Sequence, residues 1–303
     1  MKIGCILPLG ESETVGRTPL FAEIRSLAMQ AEDVGLDSVW VYDHLLYRFP
    51  ERDTMGVWEC WSMLSALAGI TSRVELGTLV MPVSWRNPAL LAKMAATVDE
   101  ISGGRLILGL GTGFHQPEFD AFGYPYDHRV DRFEEGLQII TALLRTGKVD
   151  FHGKYYSAPD CEITPRGPRP EGIPIHVACQ GARMMDLTAR HADGWNTAWF
   201  GPVDGIAPRR EAFERACEQA GREPSSIKVT VGVHVAAPEL VPGEEFDPAK
   251  ALIGSPDDIA RAFAAYEVAG VSHIICGALA DMSYDYTSRV MEKTGEALRL
   301  YRG

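Results

Sequence analysis

The feature that most constrains this chain is a regular alternation of short β-branched runs with longer amphipathic stretches. The first pair shows the pattern. Residues 3–7 form an apolar run, and residues 20–34 place apolar side chains three to four positions apart, as one face of a helix requires. Strands that alternate with helices in this way pair in parallel through right-handed crossovers. The sequence therefore predicts an α/β fold with a parallel sheet.

Eight such pairs follow one another, which favours a closed (β/α)₈ TIM barrel over an open sheet. The predicted strands cover residues 3–7, 38–42, 74–81, 105–110, 173–178, 194–198, 228–235 and 272–276. The predicted helices cover residues 20–34, 58–70, 87–101, 129–145, 184–191, 208–220, 255–268 and 289–301. Asn87 before a proline and the pair Ser255 and Asp258 are typical helix-start signals. Several prolines and short aromatic pieces predict an insertion around residues 147–170, as a hairpin and an extended loop.

Length and charge narrow the functional classes. The 303 residues suit a single barrel domain with insertion segments at its C-terminal face. The net charge of -12 argues against a nucleic-acid partner or an anionic membrane surface, so local donors would have to hold any phosphate-bearing cofactor. The six cysteines are scattered, and the chain has neither a signal-peptide pattern nor a long apolar run. These features predict a cytoplasmic protein without a membrane segment.

In such a barrel, functional residues follow the carboxyl ends of the strands. The chain has no Walker loop and no dinucleotide fingerprint. The polar and glycine-rich residues at these positions are Asp43 and His44 after the second strand, Gly111, Thr112, Gly113 and His115 after the fourth, and Gln180, Gly181, Ala182 and Arg183 after the fifth. The sequence thus predicts a site at this end of the barrel.

Four segments give this general prediction a specific form. Residues 38–45 read SVWVYDHL, residues 76–110 contain GTLVMP and lead into LGLGTG, residues 173–197 contain ACQGAR and ADGW, and residues 254–275 contain SPDDIARAF. In order and spacing the chain resembles the luciferase-like monooxygenases, which are flavin- or deazaflavin-dependent oxidoreductases. The pair Asp43 and His44 is similar to the branch that uses coenzyme F420, with FMN as the alternative cofactor.

The resemblance implies a role for each of these residues. Asp43 and His44 would lie beside the tricyclic ring of the cofactor, and a non-prolyl cis peptide near Leu79 and Val80 would support the ring from behind. The other residues that the resemblance assigns to the cofactor are Gly111, Thr112 and Gly113 along its chain, and Gln180, Gly181, Ala182 and Arg183 at its phosphate. Trp195 is added as a ring contact, although a tryptophan on a barrel strand is more often a core residue. The family also implies a homodimer.

The proton donor is the point at which the chain departs from its family. Related F420-dependent dehydrogenases can carry a glutamate soon after the glycines of the fourth strand, whereas this chain has His115 there and Glu118 further on. Because a histidine exchanges protons near neutral pH, His44 and His115 are the candidate catalytic residues, with Asp43 beside them.

The expected activity is hydride transfer between C5 of F420 and a small apolar or ring-bearing substrate. The substrate would be chosen by the loops at residues 45–56, 114–128 and 149–170. Three alternatives stay open: an FMN-dependent monooxygenase that uses O₂, a barrel hydrolase with a metal near Asp43, His44, His115 and His176, and a cofactor-binding barrel without catalysis. The first strand lacks the paired histidines of such hydrolases, so no metal is expected.

Overall fold

A computed structural model describes residues 1–169 and 171–303 of the protein. Eight parallel strands close into a barrel, which confirms the predicted (β/α)₈ architecture. The strands are β1 (Lys2–Ile6), β2 (Ser38–Val41), β3 (Leu46–Tyr47), β4 (Met55–Gly56), β5 (Glu75–Thr78), β6 (Met81–Pro82), β7 (Leu106–Gly111), β8 (Lys148–His152), β9 (Ser157–Glu162), β10 (Ile175–Ala178), β11 (Gly194–Phe200), β12 (Lys228–Val235) and β13 (His273–Ala278).

The barrel strands are β1, β2, β5, β7, β10, β11, β12 and β13, and the ring closes where β10 pairs with β7. The helices are α1 (Phe21–Asp33), α2 (Cys60–Ile70), α3 (Pro88–Ser102), α4 (Gln116–Phe122), α5 (Arg129–Thr146), α6 (Ala182–His191), α7 (Ala207–Gln219), α8 (Pro256–Val268) and α9 (Tyr284–Arg302). Within the described chain, no helix is both long and apolar enough to cross a lipid bilayer.

Side-chain caps fix where several helices begin. Asn87 accepts a hydrogen bond at 3.1 Å from the backbone N–H of the third residue of α3. Ser255 and Asp258 form the predicted capping box, with the Ser255 N–H donating to the Asp258 carboxylate at 2.8 Å. Glu59 caps α2 through the N–H groups of its second and third residues, so α2 begins after Glu59 and not at residue 58.

The third barrel strand is interrupted where the sequence predicts a continuous run over residues 74–81. β5 ends at Thr78, the Leu79–Val80 peptide bond is cis, and β6 then pairs with the end of β7. The expectation of a non-prolyl cis peptide at this position is confirmed. A second one, between Ala198 and Trp199 in β11, is not anticipated by the sequence analysis.

Two segments that the sequence leaves as loops contain regular structure. β3 and β4 form a small hairpin within residues 45–56, and α4 occupies part of residues 114–128. Elements of two to seven residues repeat too few times for hydrophobic periodicity to reveal them. Both segments follow barrel strands, so both lie at the C-terminal face.

The predicted insertion at 147–170 contains the antiparallel hairpin of β8 and β9. It follows the carboxyl end of α5, so it leaves from the opposite end of the barrel and packs along the outside of α5. The Glu135 carboxylate on α5 accepts the N–H groups of Lys154, Tyr155 and Tyr156 at 2.8–2.9 Å and fixes the hairpin turn there. Pro170, the last residue of the predicted insertion, lies outside the described residues.

The barrel interior contains a small polar group among apolar side chains. Ser38 lies 2.7 Å from Nε2 of His273 and accepts the indole N–H of Trp40 at 2.8 Å. A Cβ on Gly77 would meet the Trp40 ring at 2.1 Å, so only glycine leaves room for this ring. Burial lowers the pKa of His176 to about 4 and the pKa of His273 well below its usual range, so both imidazoles are neutral in the folded barrel.

These two histidines make stability depend on pH. Their folded-state pKa values lie below those of the unfolded chain, so the stabilising contribution is present above pH 6.5 and is lost as the pH falls toward about 4. We expect His176→Gln to flatten the slope of unfolding free energy against pH in this window by up to about 1.4 kcal/mol per pH unit. Urea unfolding at several pH values measures the slope.

The matched control is His152→Gln, which removes an exposed histidine on β8 and is expected to leave the slope unchanged. Equal slopes for both variants and the wild type would show that His176 takes up no proton on unfolding.

Candidate active site

A cavity of about 800 Å³ opens at the carboxyl ends of the barrel strands. Its volume lies in the range of sites that enclose a cofactor or a drug-sized ligand. Most of the residues predicted for the site line this cavity: Asp43, His44, Leu79, Val80, Gly111, Thr112, Gly113, Gln180 and Gly181. The strand ends thus bring together residues that are more than one hundred positions apart in the chain.

Four predicted residues do not line the cavity. Ala182 is the first residue of α6, directly after the cavity wall. His115 is nearly buried, and its Nε2 accepts the backbone N–H of Arg48 at 3.1 Å. This hydrogen bond links the His115 ring to the loop after β2, and His115 does not line the cavity. The structure therefore does not support His115 as a proton donor to the cavity.

Arg183 and Trp195 are also turned away from the cavity. The Arg183 guanidinium donates to Asp131 at 2.5 Å and to Glu134 at 2.6 Å, so two carboxylates of α5 occupy it in place of a phosphate. Trp195 is fully buried and stacks on Phe213 with ring centroids 4.5 Å apart. Neither residue is positioned for the cofactor contact that the sequence analysis assigns to it.

His44 is paired with a carboxylate, and the sequence does not predict this pair. Its Nδ1 lies 2.9 Å from Glu118 of α4, whose side chain is 1% exposed. The other carboxylate oxygen accepts the backbone N–H groups of Leu45 and Leu46 at 2.5 and 3.2 Å. Glu118 therefore holds both the imidazole and the loop that follows it.

A sequence signal for this partner does exist. Gln116 is followed by a proline, and Gly123 comes seven residues after Gln116, which is the pattern of a short helix with proline near its start and glycine after its end. Gly123 adopts a φ of +74°, as a helix-ending glycine commonly does. The proline and the glycine thus indicate the helix in the sequence. Only the tertiary fold shows that Glu118 on this helix lies within hydrogen-bond distance of His44.

Asp43 lines the cavity and belongs to a second charged group, whose other members, Arg86 and Glu59, lie behind the wall. Arg86 donates to Asp43 at 2.5 Å and to Glu59 at 2.5 Å. Burial raises the pKa of Asp43, and the nearby Arg86 counteracts this effect. Arg86 thus serves as the counter-ion of Asp43.

The glycines at the end of β7 line the cavity and are also required by the packing behind it. A Cβ on Gly111 would meet the Val80 side chain at 2.6 Å, and one on Gly113, whose φ is +71°, would meet the Phe119 ring at 2.7 Å. These positions therefore require glycine because the interrupted third strand and α4 approach closely. The bulge at Leu79 and Val80 then forms a rigid apolar wall of the cavity.

The start of α6 offers a place for an anion. Gly181 is the N-cap residue, its side-chain position is open with no atom within 4 Å, and no side chain caps the helix. The first N–H groups of a helix without a side-chain cap attract a phosphate. A flat apolar wall at one side and open helix N–H groups at another fit a tricyclic cofactor that carries a phosphate.

Trp199 and His234 form a further part of the cavity wall, which the sequence does not predict. Their rings stack at 4.7 Å with an angle of 4°. Trp199 is 42% exposed, which is unusual for a core tryptophan. Their signal in the sequence is position alone, because both stand near the carboxyl ends of barrel strands.

The residues considered for a metal do not converge. His176 lies within the barrel against the position of Gly194, where a Cβ would meet its ring at 2.4 Å, and His115 is bonded to the loop backbone. Across residues 1–169 and 171–303, no group of three or more histidine, cysteine, aspartate or glutamate side chains is arranged to hold a metal ion.

The family described as luciferase-like monooxygenase matches residues 1–240, which is well over half of the chain. The chain belongs to this family. Pyrimidine monooxygenase RutA of Escherichia coli (strain K12 / DH10B) is 31% identical over 253 residues, covering 75% of this chain. RutA of Shigella flexneri is 32% identical with the same coverage. The chain spans about 62% of the length of these two curated relatives.

Solved structures agree with the barrel along the whole chain. An F420-dependent secondary alcohol dehydrogenase in complex with an F420-acetone adduct has a TM-score of 0.80 at 20% identity, covering 100% of this chain and 99% of that one. Monooxygenase RslO1 from Streptomyces bottropensis has a TM-score of 0.80 at 24% identity, covering 100% of both chains. At these identities the likeness establishes the fold, and the cofactor has to be argued from the site.

Removing the Glu118 carboxylate tests its structural role. Glu118→Ala would leave the partly buried N–H groups of Leu45 and Leu46 without their carboxylate acceptor and would remove the partner of His44, so we expect the free energy of unfolding to fall by about 2–4 kcal/mol. Asp120→Ala, an exposed acid on the same helix, is the control and is expected to change it by less than about 0.5 kcal/mol. Urea unfolding measures both, and equal effects would contradict the assignment.

Proposed function

We propose that this protein is an F420-dependent oxidoreductase that transfers a hydride between C5 of the deazaflavin and a small ring-bearing substrate. The observation that carries the proposal is the pairing of His44 with the buried Glu118 at the wall of the cavity. A hydride transfer to or from a hydroxyl or carbonyl group also needs a group that takes or gives a proton. A histidine with a buried carboxylate partner suits this task.

The hydrogen-bond partner of Nδ1 defines what His44 can do. A carboxylate acceptor favours the tautomer with the proton on Nδ1, which leaves Nε2 free to accept a proton from a substrate hydroxyl. Once the ring is protonated, the negative charge of Glu118 stabilises the imidazolium, as in other histidine–carboxylate pairs. The side chain of His44 is 16% exposed, so it is accessible from the cavity but only slightly hydrated.

The rest of the wall supports cofactor binding. Leu79 and Val80 would pack behind the ring, and the N–H groups that follow Gln180 and Gly181 would bind the phosphate. When bound, the deazaflavin supplies the hydride acceptor or donor. Because Arg183 is already paired with two acids, the phosphate would depend on the start of α6 and not on that side chain.

An FMN-dependent monooxygenase is the second candidate, and one specific observation favours it. The relatives with 31–32% identity are named pyrimidine monooxygenases, whereas the F420-dependent structure is only 20% identical. In this version the same cavity would hold reduced FMN, which would supply the two electrons for the reduction of O₂, and a substrate that would receive one oxygen atom while the other leaves as water. The apolar wall and the buried pairs would then serve to exclude water from the reacting groups.

Equilibrium binding of F420 and FMN to the purified protein separates these candidates. We expect F420 to bind at least about tenfold more tightly than FMN. The variant Gly181→Asp places a carboxylate at the N-cap of α6, where aspartate stabilises a helix but repels a phosphate. We expect it to weaken binding of the favoured cofactor at least about tenfold without loss of thermal stability.

The matched control is Leu20→Asp, the same kind of change at the exposed N-cap of α1, away from the cavity. It is expected to leave cofactor binding unchanged. Tight FMN binding without F420 binding would replace the first candidate by the monooxygenase, and binding of neither cofactor would refute both.

A further inference from the structure

The charges on the cavity wall restrict which substrates can enter. Asp43 and Asp281 line the cavity, and within residues 1–169 and 171–303 no lysine or arginine does. Arg86 lies behind the wall and compensates the negative charge of Asp43, with Nη1 of Arg86 2.5 Å from Oδ2 of Asp43. Asp281 receives only the hydroxyl of Ser12, at 2.6 Å, and forms no ion pair in the part of the chain that the structure describes. Among the described residues, Asp281 is therefore the carboxylate on the cavity wall whose charge no basic side chain compensates.

Asp281 retains unused hydrogen-bonding capacity. A carboxylate has about four acceptor positions on its two oxygens, and Ser12 uses one of them on Oδ1. The side chain is half-buried, so a ligand in the cavity can displace its remaining water. An ionised, partly desolvated acceptor binds N–H donors more strongly than neutral groups do.

A flat aromatic surface lines the same cavity as this carboxylate. The Trp199 ring is covered by His234, and a Cβ on Gly277 would meet it at 3.2 Å. Gly277 stands at the end of β13, four positions before Asp281. Burial lowers the pKa of His234, so at neutral pH the stack adds no positive charge. Planar rings, and cations above all, bind to such a tryptophan face.

We propose that the substrate is a small planar nitrogen compound, neutral or cationic, whose N–H group donates to Asp281 while its ring packs against Trp199. Anionic substrates are rejected because no positive side chain on the wall meets their charge. This inference rests on the proposed function, because it takes the cavity as the substrate site. It adds the chemical class of the substrate. It holds for either cofactor, because neither Asp281 nor Trp199 is among the residues assigned to cofactor binding.

Three isosteric probes test the class: benzamidine, which is planar and cationic, benzamide, which is neutral with N–H donors, and benzoate, which is anionic. Isothermal titration is done on the purified protein and on the protein loaded with F420 or FMN. We expect benzamidine to bind at least about tenfold more tightly than benzoate, with benzamide between them. Asp281→Asn is expected to weaken benzamidine about tenfold and to reduce the difference between the probes.

The control Asp285→Asn removes an exposed acid four residues further on, outside the cavity wall, and is expected to keep the order of the probes. Trp199→Leu is expected to weaken benzamidine and benzamide together. If benzoate binds as tightly as benzamidine, if benzamidine does not bind at millimolar concentration, or if Asp281→Asn leaves the order unchanged, the inference is wrong. If neither F420 nor FMN binds, the proposed function is wrong. The order in which the three probes bind to the purified protein still tests the inference about the substrate class.

Discussion

Glu118 carries a carboxylate that has almost no contact with solvent, so protein groups have to satisfy its hydrogen bonds. They come from His44 and from the two backbone N–H groups that follow it. One side chain of α4 therefore orients the imidazole, holds the loop after β2 and joins two segments at the C-terminal face. If this interaction is lost, the histidine loses both its position and the charge that favours its protonated form.

The barrel supports this interaction by fixing the segments that meet there. α4 follows β7 and His44 follows β2, while the interrupted strand of β5 and β6 lies between them. The glycines at the end of β7 allow Val80 and Phe119 to approach closely. The same close packing forms the apolar cavity wall, so the His44–Glu118 pair and this wall depend on one set of contacts.

Much of the fold could be predicted because it rests on repeated local patterns. The sequence predicts the eight strand–helix units, the cap at Asn87 and the capping box at Ser255. The position of the site followed from the rule that strand ends carry function. The cis peptide after β5 came from the family resemblance and is confirmed.

The parts that could not be predicted depend on tertiary distances. Glu118 stands 74 positions after His44, and no local pattern links them. Arg183 looked suitable for a phosphate, but α5 presents two acids to it. Asp281 lies in a segment without a motif, and only the closed ring of strands places it on the same cavity as Trp199.

The central claim is that Glu118 holds His44 with the proton on Nδ1 and with Nε2 free toward the cavity. Nitrogen NMR of the histidine rings, assigned by comparison with His44→Gln, measures this tautomer directly. We expect the neutral His44 ring to carry its proton on Nδ1, next to Glu118. In Glu118→Gln the preference for Nδ1 is expected to weaken. A His44 ring protonated at Nε2 alone, or a tautomer that Glu118→Gln leaves unchanged, would contradict the account.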